Sequence, residues 1–575
     1  MSTALYVFQV VGKLYFREVR RGPPSSTPSH QHHVMSRLTR RTFLKTGSMA
    51  AAVAAIPVRQ SYAESLRSWV PRESAPDFKA LAAAALDAAK GAGATYADVH
   101  FRYTRKENWV YWQGLGYPTP SGNNYVGVGV RSLVNGYWGF SGMDSVATTD
   151  DAARLGRDSA AQARTAAKGK PRSVNLAPAP VVNNGSWVMP VEIDPFTVSL
   201  QEKVDYIDAM SDYVSRRAYG VGTMAMLFFT KEERIFASSE GSNTSQTVYN
   251  TSATFSLGVP FDWLTERPGG MGANFLTPAG AGWEYIRNAP YRDRADEMIE
   301  IAKKTRRPKP VEVGKYDIVF DPEALAGIID VSIGMSTELD RATGYLANTV
   351  GTSYLNDPME MLGTFKMGSA LLNVSTNRSL PGGAATVKWD DEGVEPAETQ
   401  LVTNGILTDY QTTRESASWI AEYYQKKGTP VKSNGCAGVY GGSSSMSLFN
   451  PNLVLHPGTQ DLSFGDLVKS VKKGYAILGG QTYGDQQALN GNGYPSLVYE
   501  IKNGELGEVV SNAEVLYRSP EFWKNLTLLG GKSSVRQFGF DRWRDNDYEY
   551  RVPHTISTPA AKVTGVAITD MTRKA

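Results

Sequence analysis

The sequence predicts an α+β fold with antiparallel and mixed sheets flanked by helices. Three observations carry that expectation. Several stretches alternate apolar and polar residues as strands do, short segments between them carry apolar residues at helical spacing, and glycine is abundant (55 of 575 residues), which suits many turns and hairpins. With 41% hydrophobic and 20% charged residues the composition is that of an ordinary globular protein, and the length allows roughly two to four domains.

The elements follow in order. Asp77 to Gly91 places Phe78, Leu81, Leu86 and Ala89 on one face of an alanine-rich helix, ended by Gly91 and Gly93. Tyr96–Tyr103 alternates as a strand, and a second strand is expected at Asn108–Gln113. Val126–Arg131 and Gly136–Phe140 form a hairpin across Val134-Asn135-Gly136. Thr149-Asp150-Asp151 caps a helix running to about Ala167. The Pro- and Asn-rich stretch 173–196 connects to a helix at 198–217, followed by a β-rich region from Gly222 to Trp283 and a helix at Asp293–Lys304. Arg306-Arg307-Pro308-Lys309-Pro310 marks a domain boundary, because proline blocks continuation of the helix. Beyond it come the strand Tyr316–Phe320, the breaker Asp321-Pro322, a helix carrying Leu325, Ile328, Ile329 and Ile333, a helix at 465–473, and further strands.

Charge is unevenly placed. The first 63 residues contribute +8 (nine Lys/Arg against one Glu) to a formal total of +3, which leaves −5 for the remainder. A mildly acidic body argues against nucleic acid as a partner, since phosphate contacts require a basic face. Within the leader, Arg40-Arg41-Thr42-Phe43-Leu44-Lys45 precedes the apolar stretch Met49–Ile56 and then Ser61-Tyr62-Ala63. A basic region, a short apolar region and small residues at a cleavage site make residues 35–63 a twin-arginine signal peptide, with export to the periplasm and a mature chain from Glu64. Met35 is the expected start of translation and residues 1–34 an upstream extension. No later run reaches the roughly 20 apolar residues that would span a bilayer.

The single cysteine, Cys436, rules out a disulfide framework and any multi-cysteine metal site. Of six histidines three lie in the upstream extension; His100, His456 and His554 are scattered without paired spacing, which favours structural roles. Ser470-Val471-Lys472-Lys473 has the Ser-x-x-Lys spacing on a helix without companion motifs, a chance match. Gly127-x-Gly129 lacks the third glycine and following helix of a dinucleotide site. Trp109, Tyr111, Trp112, Tyr117, Tyr125, Tyr137 and Trp138 crowd one region of sheet, where core packing accounts for most of them.

The order of features resembles the TldD/PmbA family, also called the modulator of DNA gyrase family. In the first half the match is Tyr96-Ala97-Asp98-Val99 after a helix, Gly127-Val128-Gly129-Val130-Arg131, Gly136-Tyr137-Trp138-Gly139-Phe140 and a helix opening on Asp150-Asp151-Ala152. In the second it is a strand, Asp321-Pro322, a helix, Asp390-Asp391-Glu392-Gly393 and Gly405-Ile406-Leu407-Thr408-Asp409-Tyr410. The resemblance implies a two-domain fold, divided here as 64–309 and 310–575, and peptidase chemistry on extended or unfolded peptides. It also implies a dimer, either of identical chains or with a homologue that carries the zinc. Zinc-bearing members hold the metal with His-Glu-x-x-x-His on the helix after the breaker, here 322–340, and a downstream cysteine. The metal acidifies its water and the glutamate takes the proton.

This sequence departs from that pattern. Asp330, Val331 and Met335 stand where His, Glu and His would, and Asp545 stands at the cysteine position. Valine cannot act as a base and a thioether is a soft ligand unsuited to hydrolytic zinc. No cofactor is therefore expected and no catalytic residue is assigned. Asp330 and Asp545, with Glu338 or Asp340, would at most offer oxygen ligands to a hard cation; the simpler reading is polar residues left in a cavity that lost its metal. Cys436 is expected to be buried and structural.

Overall fold

The computed structural model describes residues 77–112, 119–144, 146, 148–168, 174–217, 222–258, 272–304, 308–543 and 551–572. The expected signal peptide (35–63), the expected upstream extension (1–34) and Asp545 lie outside the described residues. The architecture is α+β, as the sequence predicts.

The first half comprises α1 (Phe78–Gly91), β1 (Tyr96–Trp112), β2 (Thr119–Val134), β3 (Tyr137–Asp144), α2 (Thr149–Ala166), β4 (Gly185–Val188), α3 (Leu200–Arg217), β5 (Gly222–Ser238), β6 (Asn243–Gly258), β7 (Gly272–Ala279), α4 (Trp283–Arg287) and α5 (Tyr291–Lys304). The strands form one sheet in the order β3-β2-β1-β5-β6-β4, with β7 added to β6. Asp77 caps α1 by accepting from the amides of Lys79 and Ala80, and Thr148, one residue before the expected cap, accepts from Asp151 at the start of α2. The Asn135-Gly136 turn has φ of 52° and 79°, the left-handed pair that a two-residue hairpin requires.

β1 is one strand of 17 residues, not the two expected. Its charged middle, Arg105-Lys106-Glu107, does not break it, because β2 and β5 pair with it along nearly its whole length and the charges find partners. Glu107 accepts from the Lys203 ammonium and from Trp109 Nε1, each at 2.6 Å, and Arg105 lies 4.6 Å from the Phe196 ring centroid.

Alternation assigns the sheet two faces. On one face Val99, Phe101, Val128 and Val130 pack under α1 and α2, while Trp109, Leu227 and Phe229 pack under α3, α4 and α5. The other face carries Asp98, His100 and Arg102 and is covered at that end by loops of the second half. Close approach explains Gly127 and Gly129 of β2: a Cβ on Gly127 would lie 1.8 Å from the Gly441 carbonyl oxygen, and one on Gly129 2.9 Å from that of Gly442. Farther along this face Lys106, Asn108, Phe228, Thr230, Asn250 and Ser252 remain half-exposed.

The second half contains β8 (Lys309–Pro310), β9 (Gly314–Phe320), α6 (Pro322–Ile329), β10 (Val374–Thr376), β11 (Thr399–Thr403), β12 (Ile406–Leu407), β13 (Ala437–Gly438), β14 (Ser447–Leu448), β15 (Leu453–Leu455), β16 (Lys473–Gly484), β17 (Asn490–Lys502), β18 (Glu505–Ser511), β19 (Ala513–Arg518), β20 (Leu526–Leu529), β21 (Arg536–Trp543), β22 (Arg551–Thr558) and β23 (Ala561–Asp570). Five of these strands pair in a closed circuit, β16–β9–β23–β19–β17 and back to β16. A second sheet runs β12-β11-β10-β15-β22-β21. Residues 324–329 of α6 are all buried, which matches their apolar composition, and they share one core with both sheets. The helix expected at 465–473 ends at Lys469; Ser470 is its C-cap and Lys473 opens β16, so the Ser-x-x-Lys pair does not share a helix face.

Candidate functional site

Asp321 starts α6 by accepting from the amides of Ala324 at 2.8 Å and Gly479 at 3.0 Å, with Pro322 supplying the preset φ of a first helical residue. The segment expected as one helix over 322–340 then changes character. Residues Asp330–Gly334 form a π-helical turn, and a short helix resumes only at Leu339–Ala342. Hydroxyl groups bond back along the chain through this turn: Ser332 Oγ to the Ile328 carbonyl at 2.6 Å, Ser336 Oγ to Ser332 at 2.7 Å and Thr337 Oγ1 to Ile333 at 2.8 Å. Such bonds engage the carbonyls that a regular helix uses and bend it. The Met335 amide reaches five residues back to the Asp330 carbonyl at 2.9 Å, so the backbone positions of Asp330 and Met335 fall one π-turn apart.

Asp330 is buried, and its Oδ1 shares a 2.9 Å hydrogen bond with Nε2 of His554 on β22. The imidazole is stacked on Phe540 of the neighbouring strand, centroids 5.7 Å apart. Gly334 leaves room for the carboxylate, since a Cβ there would come within 3.3 Å of Asp330 Oδ1. Val331 is fully buried and faces β16, where a Cβ on Gly484 would meet its Cγ1 at 2.2 Å. Ser332 is held from two sides, by Trp523 Nε1 donating to its hydroxyl at 2.9 Å and by the Tyr354 hydroxyl donating to its carbonyl at 3.3 Å.

These residues do not fit hydrolytic zinc. Asp330, which the resemblance sets at the first ligand position, is engaged by an imidazole; Val331, which it sets at the base position, is an alkyl side chain packed in the core; and Met335 would offer a thioether. Among the described residues no three His, Cys, Asp or Glu side chains gather as a metal-binding group. Glu338 bonds Arg341 at 3.3 Å, and Asp340 accepts from the Arg341 amide. Cys436 is fully buried, and that burial pushes its thiol up to about 12, which leaves it a structural residue rather than a nucleophile.

A second polar centre joins the halves. Arg131 of β2 bonds Asp98 at 2.5 Å and Glu392 at 3.1 Å, Arg102 of β1 bonds Asp391 at 2.5 Å, and Arg414 bonds Glu240 at 2.8 Å. Burial acts to raise Asp391, but the Arg102 and Arg234 guanidiniums and the Val439 amide together outweigh it and hold the group at about 2. Asp390 goes the other way: burial first, then the Glu392 carboxylate, push it up to about 7. His100 lies beside this cluster with neither ring nitrogen hydrogen-bonded among the described residues, and burial lowers it to about 4.

The structure places Asp330, Val331 and Met335 on and beside the π-turn, and His554, for which the sequence suggests a structural role without naming a partner, meets Asp330 there. The two residues of the pair are 224 positions apart, and nothing in their local sequence signals the contact. Of the crowded aromatic residues Trp109 is core, while Trp138 donates to Glu415 and receives the Arg131 guanidinium over its ring at 4.5 Å. His456 shares a 3.0 Å hydrogen bond with Ser375, away from the π-turn pair.

Residues 313–570 match the C-terminal domain of the PmbA/TldA metallopeptidases. A metalloprotease of Methanocaldococcus jannaschii is 25% identical over 450 residues, which cover 76% of this chain and 91% of the relative. A zinc metalloprotease TldD homolog of Saccharolobus solfataricus is 26% identical over 204 residues, 35% of this chain and 40% of that one. TldE from Thermococcus kodakarensis has a similar structure, with a TM-score of 0.63 over 84% of this chain and 98% of its own at 14% identity. A modulator of DNA gyrase from Thermotoga maritima gives 0.63 over 86% and 100%, at 16% identity. At those identities the structural likeness speaks to the fold.

Proposed function

The chain belongs to the TldD/PmbA family, and from that premise we propose that it is an exported, peptide-handling member without zinc chemistry of its own, acting as a binding or non-catalytic subunit. The observation that carries this reading is the Asp330–His554 pair: the residue that the resemblance sets at the first metal-ligand position is bonded within the chain, and the residue it sets at the base position is the buried alkyl side chain of Val331. The reading takes the twin-arginine leader as the export signal and a homodimer, or a heterodimer with a zinc-bearing homologue, as the working assembly. Zinc would then belong to the partner.

Peptide handling is supported by the half-exposed face carrying Lys106, Asn108, Phe228, Thr230, Asn250 and Ser252. A mixed polar and apolar sheet surface suits an extended chain, which presents amides and alternating side chains. The sheet that carries this face is linked to the strand of His554: β6 pairs with β7, the Gly539 amide of β21 donates to Thr277 of β7 at 2.9 Å, and β21 pairs with β22.

Fluorescence anisotropy with a labelled unfolded peptide tests the reading, with the mature chain alone and with an exported homologue bearing His-Glu-x-x-x-His. Binding by the chain alone, with cleavage only in the mixture, is the expected result. Failure to bind peptide in either case contradicts it. A second reading, a metallopeptidase with a rearranged site around Asp330 and Asp545, draws on the proximity of a carboxylate and an imidazole; stoichiometric metal in the purified chain together with chelator-sensitive cleavage by it would favour that reading instead.

A further inference from the structure

A cleft of about 450 Å³ opens in the second half, within the range of roughly 300–1,000 Å³ typical of small-molecule sites. Its lining is divided in character. Tyr354, Phe365, Leu489 and Pro520 supply apolar and aromatic surface, whereas Arg518 and Lys524 bring cationic groups from the end of β19 and the short helix after it. Arg518 is engaged by Glu521 at 2.5 Å, but Lys524 forms no ion pair with any described residue, so the lining carries a net positive charge.

The cleft is also preformed. One wall is the extended segment around Tyr354, whose amide donates to the Gln487 carbonyl at 2.8 Å, and whose hydroxyl donates to Ser332 of the π-turn. Another part of the lining comes from the helix that contains Trp523, fully buried and donating to the same Ser332. Two parts of the lining fixed to one buried residue need little reorganisation to receive a ligand, which removes much of the ordering cost of binding.

We propose that this cleft binds a molecule presenting a carboxylate beside an aromatic or aliphatic group, with the carboxylate on Lys524 and the apolar part against Tyr354, Phe365 and Leu489. The chemistry is shared by a peptide C-terminus and by a small N-acylated amino acid. The site is separate from the Asp330–His554 pair, and its existence does not depend on the proposed function.

Titration calorimetry on the whole mature chain tests it with N-acetyl-phenylalanine, its carboxamide, and a five-residue peptide ending in phenylalanine. The acid is expected to bind saturably, and the carboxamide, or the Lys524→Glu chain with the acid, to bind about tenfold or more weakly, a difference of about 1.4 kcal/mol. The peptide binding more tightly than the amino acid identifies a peptide end as the ligand; equal affinity identifies the small acid. Leu489→Trp, which fills the cleft, should abolish binding while the thermal midpoint confirms folding. Acid and carboxamide binding equally, no saturable binding of the acid at millimolar concentration, or unchanged affinity in a folded Leu489→Trp chain overturns the proposal.

Discussion

His554 Nε2 lies 2.9 Å from Asp330 Oδ1, and the two side chains, 2% and 1% exposed, join the π-turn after α6 to the β22 strand of the second sheet. Removing one member of a buried polar pair takes from the other a hydrogen bond that water cannot replace in the core, which costs more than the pair itself contributes. Asp330→Ala and His554→Ala should each destabilise the chain by about 3 kcal/mol, and the double variant by clearly less than the sum, a coupling of about 1 kcal/mol or more. Urea unfolding of the four chains measures this, and strict additivity would contradict the contact.

Val331, which the resemblance sets at the general-base position, is fully buried against β16. Restoring the carboxylate therefore does not restore a base. Val331→Glu should destabilise by several kcal/mol, since it buries a charge with no partner provided. A soluble Val331→Glu chain that unfolds at the wild-type urea midpoint would show the side chain reaching an open cavity instead.

How far the sequence discloses this molecule depends on whether the cause is local. The Asn135-Gly136, Asn404-Gly405 and Asn503-Gly504 turns all adopt left-handed pairs, a preference carried by the dipeptide itself, and Asp321-Pro322 starts its helix for equally local reasons. The departures from expectation arise where distant groups decide. β1 runs through Arg105-Lys106-Glu107 because Lys203, far along the chain, compensates Glu107. The helix after Pro322 becomes a π-turn because Ser332, Ser336 and Thr337 bond backward and Trp523 and Tyr354 grip Ser332, a set that periodicity does not encode. Gly127-x-Gly129 reads as a weak nucleotide motif in isolation; its cause is the backbone of residues 441–443 lying against β2. At the candidate site the family resemblance points to the segment around Asp330, whereas the partner of Asp330 has no signal in the sequence, since pairing over 224 residues leaves no local trace.

The acidic turn Asp390-Asp391-Glu392 gives a pH signature. Burial and the Glu392 carboxylate raise Asp390 to about 7, so between roughly pH 4 and 7 the folded chain holds a proton that the unfolded chain releases. Stability from this group is present at the acid end of that window and is lost as pH rises through it. Asp390→Asn cannot titrate and lacks this fall. The thermal midpoint of the wild type minus that of Asp390→Asn should therefore be larger at about pH 5 than at about pH 8. A difference that is constant, or larger at the alkaline end, contradicts the assignment.

The most direct test of the central claim is hydrolysis of a fluorogenic unfolded peptide by the purified mature chain alone, with added zinc, with a chelator, and with Asp330→Ala in parallel. The account predicts no cleavage above the peptide's background under any of these conditions. Cleavage by the lone chain that disappears with chelator and in a folded Asp330→Ala variant would contradict it.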